Sequence, residues 1–257
     1  MSPNASSPTE VAPGLKTSRA NPADALRTRS LGSVSLPKQL RSQQTLFRIL
    51  DAAEELIAEK GLADASIPEI VRRAGSSVGG FYARFRGKNE MLRALEERFF
   101  DDLRQRVDKL TDPERWVAAP INLILRGCVQ ELVDTFRARE GLIRAFTFRA
   151  SQAPKFIEED RQFREGVSKQ LTALLSTRFD EFNHPDPELA IELAVQLAFG
   201  LMHQLAISGE FRVGQRRLTD EDLVDELTRN FHAYAGIKAT PDHTQSAPSK
   251  RKHRNPQ

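Results

Sequence analysis

The sequence predicts an all-α protein in which an N-terminal three-helix helix-turn-helix domain is joined by a long helix to a C-terminal helical domain. Apolar residues recur at intervals of three and four through most of the chain, which is the periodicity of helices with one buried face. Glycine and proline separate these segments, and no segment shows the strict alternation of a half-buried strand. The 257 residues suffice for one sizeable core or two modest ones.

The N-terminal domain is placed at residues 42–102 and begins with an amphipathic helix over 43–60. Gly61 is expected to end this helix, because glycine is a preferred residue directly after a helix. Ser66 and Glu69 have the spacing of a capping box and predict the start of a short second helix.

The second and third helices form a predicted helix-turn-helix motif at about residues 65–84. Residues 74–76 supply a tight turn, and the hydroxyl of Ser77 is suited to cap the third helix. A long amphipathic helix over 88–110 then leads out of the domain. Such a pair of short helices is the arrangement that places a recognition helix in the major groove of DNA, although many small helical bundles contain one.

Residues 74–88 carry the specific signal. They read Ala-Gly-Ser-Ser-Val-Gly-Gly-Phe-Tyr-Ala-Arg-Phe-Arg-Gly-Lys and resemble, nearly position for position, the turn and recognition helix of the TetR (tetracycline-repressor-like) family of transcriptional regulators. The likeness extends from about residue 49 to about residue 100, and the remainder shares only the all-α pattern. The resemblance implies a sequence-specific DNA-binding regulator, commonly a repressor, that a small-molecule ligand releases from a palindromic operator.

Three of the matched residues are expected to contact the DNA backbone. Ser77 lies at a helix start, whose free N–H groups favour a phosphate. Tyr82 has a hydroxyl that can reach a phosphate, and the resemblance implies this contact; a plain core tyrosine is the alternative. Lys88 is poorly placed for the dipole of the helix it opens, so a phosphate partner explains it better.

The remaining candidates concern how closely the recognition helix approaches the bases. Gly79 and Gly80 each cost about 1 kcal/mol inside a helix, which close approach to the groove would offset; a frayed helix is the alternative. Val78 is expected to read bases, for example a thymine methyl group. Arg84 departs from the histidine frequent in the family, and its contact with phosphate or with guanine is left open.

Charge is unevenly distributed along the chain. The formal net charge is +3, but residues 1–42 and 236–257 each carry +4, which leaves −5 for the residues between them. One basic island, at 66–88, interrupts this acidic body. Local positive charge is typical of a protein that binds a polyanion, although a solvated basic surface has the same composition.

Residues 1–40 and 239–257 are predicted to be disordered basic tails. They are rich in small and polar residues and lack a sustained apolar period, so they cannot bury enough surface to offset the entropy of ordering. Their charge suggests nonspecific attraction to phosphate, and a merely solubilising role is equally compatible with it.

A cytoplasmic location without membrane association is expected. No uninterrupted apolar stretch is long enough to span a bilayer, and the polar first residues lack the apolar centre of a secretion signal. The single cysteine, Cys128, excludes an internal disulfide and a cysteine-based zinc site, in keeping with a reducing compartment.

The C-terminal domain, placed at residues 111–236, is expected to bind an effector and to form a homodimer. A single recognition helix reads too few bases, so such readers usually bind DNA as dimers. The helices at 186–208 and 219–235 are apolar over a broad arc, and the resemblance implies that they form the interface; an ordinary buried core is the alternative.

An effector pocket is expected between the long helix and the dimer interface. Aromatic side chains would line it and polar side chains would anchor the ligand, although aromatic residues at helical spacing are more often core. The candidates are Phe146, Phe148 and His203 with Arg126, and more weakly Trp116, Phe163, Phe199, Glu131 and Arg144.

No catalytic activity, cofactor or metal is expected. None of the five histidines lies in a catalytic or metal-binding motif, and no glycine-rich phosphate loop follows a strand. The alternative to a regulator is a helical protein that binds a partner without a ligand.

Overall fold

A computed structural model describes residues 40–149 and 154–237 and confirms the all-α prediction. The predictions for the two tails concern residues outside these ranges. The described residues contain nine α-helices, which are α1 (Leu40–Asp64), α2 (Ile67–Arg73), α3 (Val78–Tyr82), α4 (Lys88–Leu110), α5 (Ile121–Ala138), α6 (Glu140–Arg149), α7 (Pro154–Leu175), α8 (Pro187–Ser208) and α9 (Asp220–Ala235). Short 3-10 helices lie at Pro113–Trp116 and Ser176–Glu181.

Local sequence signals determine where the first helices begin and end. Helical hydrogen bonding continues past Gly61 to Asp64, but Gly61 has the non-helical angles φ 85° and ψ 168°, so α1 bends at the residue predicted to end it. At the start of α2, the carboxylate of Glu69 accepts hydrogen bonds from the backbone N–H of Ser66 (3.4 Å) and from its hydroxyl (2.6 Å). Lys60 also donates to Glu69, and these donors lower the pKa of this carboxyl to about 2.

One apolar core holds the three N-terminal helices against the first half of α4. The side chains of Phe81 and Phe85, which flank the end of α3, are fully buried in it. They pack with the apolar faces of α1 and α4, including Leu46, Ile49 and Leu95. The recognition helix has only five residues, so its orientation depends on these two phenylalanines rather than on its own hydrogen bonds.

The remaining helices form a C-terminal bundle into which the second half of α4 extends. Helix α5 packs on α9, α7 packs on α8, and α6 packs on both α8 and α1. The core that holds the N-terminal unit continues without a break into this bundle through Phe146, Phe156 and Phe163. The two parts of the protein are therefore packed together and are not joined only by a linker.

The described residues also contain a short antiparallel ribbon, which leaves the all-α class unchanged. Arg212–Val213 (β1) pairs with Arg216–Arg217 (β2), and Gly214 makes the turn with φ 60°. All four strand residues are exposed. The ribbon is too short to show an alternating pattern, because two residues a strand cannot establish a period of two.

Helix α8 is strongly apolar. Among the described residues it is one helix whose length and mean composition would allow it to cross a membrane, although Glu192, Gln196 and His203 interrupt its apolar residues. The same length and composition are also found in core helices of proteins that do not cross membranes. Only a third of its most apolar window is buried in the monomer, so much of its apolar surface faces outward.

The junction between the N-terminal unit and the bundle is made by close backbone contact and by ion pairs. A Cβ atom at Gly141 on α6 would lie 2.7 Å from the Cα and 2.9 Å from the carbonyl oxygen of Ala58 on α1. Across the same junction, Arg149 on α6 forms an ion pair with Glu96 on α4.

We expect the Gly141→Ala substitution to destabilise the protein by about 1–3 kcal/mol, because α1 and α6 must separate to accommodate the methyl group. Urea unfolding followed by circular dichroism measures this effect. Gly166→Ala on α7 is the matched control, since a Cβ atom there meets nothing within 4 Å, and it should stabilise by up to about 1 kcal/mol. Equal effects of the two substitutions would contradict the close packing at Gly141.

Candidate DNA-binding surface and ligand cavity

Helix α3 presents one face to the core and the other to solvent. The hydroxyl of Ser77 caps the helix by accepting a hydrogen bond from the backbone N–H of Gly80 at 3.0 Å. Val78 and Gly79 are exposed on the first turn, and the side chain of Val78 is 49% accessible. An exposed valine on the first turn of the helix is suited to contact base edges. The helix start beside it can attract a phosphate of the DNA backbone.

Tyr82 lies at the end of α3 and is 54% exposed, so it is not a core tyrosine. Its ring makes an edge contact with the buried ring of Phe81, with ring centroids 5.4 Å apart. The phenol is thereby held at the surface of the N-terminal unit, where its hydroxyl can reach a phosphate.

The two glycines of α3 have different surroundings. A Cβ atom at Gly80 would lie 2.8 Å from the hydroxyl oxygen of Ser76 and 3.2 Å from that of Ser77, which is fixed by its capping bond. Gly80 is therefore explained by crowding within the protein. A Cβ atom at Gly79 would meet only the Ser77 hydroxyl oxygen, at 3.9 Å, so crowding does not explain that glycine and its close approach to DNA stays a prediction.

Arg84 has a role in the structure that the sequence did not indicate. Its guanidinium donates to the backbone carbonyl of Gly80 at 2.6 Å and to the hydroxyl and carbonyl oxygens of Ser42 at 2.8 and 3.2 Å. Arg84 thus joins the start of α1 to the end of α3. These bonds give Arg84 a positioning role inside the protein, and its contact with guanine or phosphate stays a prediction.

Lys88 is likewise engaged within the protein. Its ammonium group donates to the backbone carbonyls of Leu62 and Ala63 at 2.6 and 3.4 Å, and partial burial lowers the pKa of this side chain. The lysine therefore stabilises the end of α1, where free carbonyl groups favour a cation. A phosphate partner is not needed to explain a lysine at this position.

Two arginines of the basic island are exposed and unpaired among the described residues. Arg73 forms an ion pair with Glu59 at 2.5 Å. Arg72 and Arg86 are exposed, and within the described ranges their guanidinium groups have no hydrogen bond or ion pair. The charge pattern of residues 66–88 had indicated these two residues, but the sequence cannot tell a free arginine from a paired one.

A cavity of about 210 Å³ lies inside the C-terminal bundle. Residues of α4 to α9 line it, and nearly all of its wall is apolar. The aromatic part of the wall consists of Phe99, Phe100, Phe136, Phe156, Phe163, Phe199 and Phe231.

The structure brings one of the four leading ligand candidates into this wall. His203 on α8 lines the cavity. Phe146 is buried in the core outside the cavity, and Phe148 is 65% exposed on the opposite face of α6, beside a separate cleft. Arg126 forms an ion pair with Asp225 on α9 and does not line the cavity.

Helical spacing alone could not have separated these candidates, because it does not show which face of α6 meets the bundle. Of the weaker candidates, Phe163, Phe199 and Glu131 line the cavity. Trp116 and Arg144 do not: the Trp116 ring packs on Gly127, and Arg144 donates to the carbonyl of Ala206 at 2.9 Å.

Comparisons with known proteins identify the family. Residues 49–95 match the family described as bacterial regulatory proteins, tetR family, and residues 120–234 match the family described as Tetracyclin repressor-like, C-terminal domain. The HTH-type transcriptional regulator BetI of Escherichia coli O45:K1 is 30% identical over 190 residues, which cover 72% of this chain and 90% of BetI.

Two further matches differ in extent. The uncharacterized HTH-type transcriptional regulator YvdT of Bacillus subtilis is 45% identical over 62 residues, which cover 24% of this chain but only 31% of YvdT. A crystal structure of a transcriptional regulator from Rhodococcus sp. Rha1 has a TM-score of 0.55 and 25% identity, and the match covers 76% of this chain and 99% of that one. The chain belongs to the TetR family of bacterial transcriptional regulators, which confirms the resemblance seen in residues 74–88.

We expect Arg84→Gln and Arg86→Gln to have different consequences, although the two residues are neighbours in the basic island. Arg84→Gln removes the bonds to Ser42 and should lower the free energy of unfolding by about 1–2 kcal/mol. Arg86→Gln should leave the free energy of unfolding unchanged. It should lower by about one the number of ions released on DNA binding, which the slope of log affinity against log salt concentration reports. Urea unfolding and DNA titrations at several salt concentrations measure both effects, and the reverse pattern would contradict these assignments.

Proposed function

We propose that this protein is a homodimeric transcriptional repressor that binds a near-palindromic operator through α3 and releases it when a small apolar ligand occupies the cavity. The observation that carries the proposal is the position of α4, whose first half shares one apolar core with α3 and whose second half forms a wall of the cavity. A helix that shares a core with one site and lines the other can couple them, because a ligand that shifts the helix changes where α3 lies.

In the DNA-binding part of the proposal, Val78 and Gly79 approach the bases while Ser77, Tyr82, Arg72 and Arg86 contact the backbone. The support is that these residues are exposed around one short helix whose opposite side is fixed by Phe81. Arg84 and Lys88 act indirectly, by holding α1 and α3 in place.

The dimer interface is proposed to consist of α8 and α9. Leucines and an isoleucine form an exposed stripe along α8 with the spacing of one helix face, and a Cβ atom at Gly200 on the same stripe meets nothing within 4 Å. Exposed apolar surface of this extent is typical of a protein interface, and the glycine leaves room for a second helix to approach. The stripe consists of Leu189, Leu193, Leu197 and Ile207.

The same interface accounts for the apolar character of α8 without a membrane. One face of α8 is buried within the protomer, with α7 and α9 among the helices it packs on, through Ala190, Ile191, Val195, Met202 and Leu205. In the proposed dimer, the exposed stripe on the other face is covered by the second protomer. A cytoplasmic location is proposed on this basis, since a regulator of transcription must reach DNA.

The alternatives to a ligand-responsive regulator are less well supported. A helical partner-binding protein has no need of an apolar cavity inside its core, because cavities lose packing contacts. For catalysis, the family is one of regulators, and His203 is the only histidine among the residues that line the described cavity.

We expect the full chain to select near-palindromic fragments from genomic DNA, with affinity that falls steeply as salt rises.

Tyr82→Phe keeps the ring contact with Phe81 but loses the hydroxyl, so it should weaken binding about tenfold on every sequence. Val78→Ala should change which bases are preferred. Selection followed by sequencing measures both, and the absence of any preferred site would refute the regulator.

Replacement of Leu197 by arginine should convert the dimer to a monomer, because it buries a charge in the centre of the proposed interface. Sedimentation velocity measures the change. Leu123→Arg is the matched control, since Leu123 is similarly exposed on α5 but lies off the stripe. If the Leu197→Arg variant remained dimeric, the interface would have to lie elsewhere.

A further inference from the structure

One end of the cavity combines aromatic rings with a buried carboxylate. Helices α7 and α8 pack together there, with the rings of Phe163 and Phe199 5.9 Å apart. One turn away, Asp160 on α7 and His203 on α8 both line the cavity and interact electrostatically. The polar pair is therefore positioned by the same helix contact that positions the rings.

Asp160 is only partly satisfied by the protein. Its side chain is 15% exposed, and one carboxylate oxygen binds Arg164 at 2.9 Å. Arg164 does not line the cavity, so it approaches the carboxylate from outside the wall. Within the described residues, neither the other oxygen of Asp160 nor the imidazole of His203 has a hydrogen-bond partner, and burial raises the pKa of this aspartate.

The other charged groups of the wall balance each other. Arg106 on α4 and Glu131 on α5 lie 3.6 Å apart and form an ion pair. Asp160 is paired with Arg164, but of these two residues only Asp160 lines the cavity. The negative end of this ion pair therefore lies nearer to a bound ligand than the positive end does, which favours a cation over an anion.

We propose, as an extension of the ligand-release function above, that the cavity binds amphiphilic cations, in which an ammonium group is attached to an apolar body. The ammonium lies against Asp160 and the faces of the neighbouring phenylalanine rings, whose negative quadrupole attracts cations. The apolar body fills the remainder of the cavity, along Leu171, Leu175 and Ile191.

Isothermal titration calorimetry of the full chain without DNA tests the ligand class. The probes are decyltrimethylammonium, decanoate and decanol below their aggregation concentrations, which share one alkyl chain and differ in the charge of the head. Decyltrimethylammonium should bind at least tenfold more tightly than the other two. Tighter binding of decanoate, or equal binding of all three, would overturn the proposal.

A substitution tests whether Asp160 supplies the selectivity. Asp160→Asn should weaken decyltrimethylammonium binding at least tenfold and leave decanol binding unchanged. Glu158→Gln is the matched control, because Glu158 lies on the same helix but is exposed and paired with Arg161 at 2.6 Å. Equal losses for both variants, or no loss for either, would contradict the role of Asp160.

The probe series on the unaltered protein decides the ligand class even if Asp160→Asn fails to fold, which thermal unfolding reveals. Asp160→Glu, which keeps the charge, should retain the preference for the cation. The two proposals fail in different experiments. If the cation proposal is wrong, the titration without DNA shows no preference for decyltrimethylammonium; if the proposed function is wrong, the protein does not bind an operator.

Discussion

The packing of helix α4 is the constraint on which the rest of the structure depends. Its first half contributes Met91, Leu92 and Leu95 to the core beneath the recognition helix, and its second half contributes Phe99 and Phe100 to the cavity wall. A helix of 23 residues spans about 35 Å, so one element reaches both sites. Because interiors are close-packed, a shift of either end is transmitted and not absorbed.

Arg139 connects this helix to its neighbours at the boundary between the two parts. The guanidinium binds Asp102 on α4, lies 3.7 Å from a carboxylate oxygen of Glu54 on α1, and sits 5.8 Å from the ring centroid of Phe99. Each contact of a partly exposed arginine contributes little on its own, typically below about 1 kcal/mol. Together these contacts connect Phe99, a ring of the cavity wall, to α1 and α4 through one side chain.

The sequence predicts those parts of the fold that local chemistry determines. The helical periodicity, the glycine at the bend of α1 and the caps at Ser66 and Ser77 depend on residues within four positions of each other. The sequence left open whether Tyr82 belongs to the core, and its exposure is seen only in the structure. What local patterns could not predict are the partners of Arg84 and Lys88, which lie 42 and 26 residues away in the chain.

The cavity shows the same limit. Five aromatic residues were expected near a ligand, but only the packing of six helices shows that Phe163 and Phe199 line the cavity while Phe146 lies behind them and Phe148 faces outward. Asp160 was not a candidate, because an aspartate one turn from Phe163 looks like any residue of a solvated helix face. Its burial depends on α8, which follows in the sequence only after residue 186.

The most direct measurement is the distance between the two recognition helices of the dimer, obtained by pulsed electron paramagnetic resonance with spin labels at Ala83→Cys. The native Cys128 is replaced by alanine for this experiment, because it is half-buried and lines the cavity, where a small labelling reagent could reach it. With operator bound, the labels should report a single separation compatible with half-sites about 34–36 Å apart.

Leu171→Trp fills the cavity without any assumption about the ligand, and Lys169→Trp, exposed on the same helix, is its control. We expect the operator-free protein with Leu171→Trp to show an altered separation of the labels and weaker operator binding, while the control shows neither. An unchanged separation together with unchanged operator affinity would contradict the claim that α4 couples the cavity to the recognition helix.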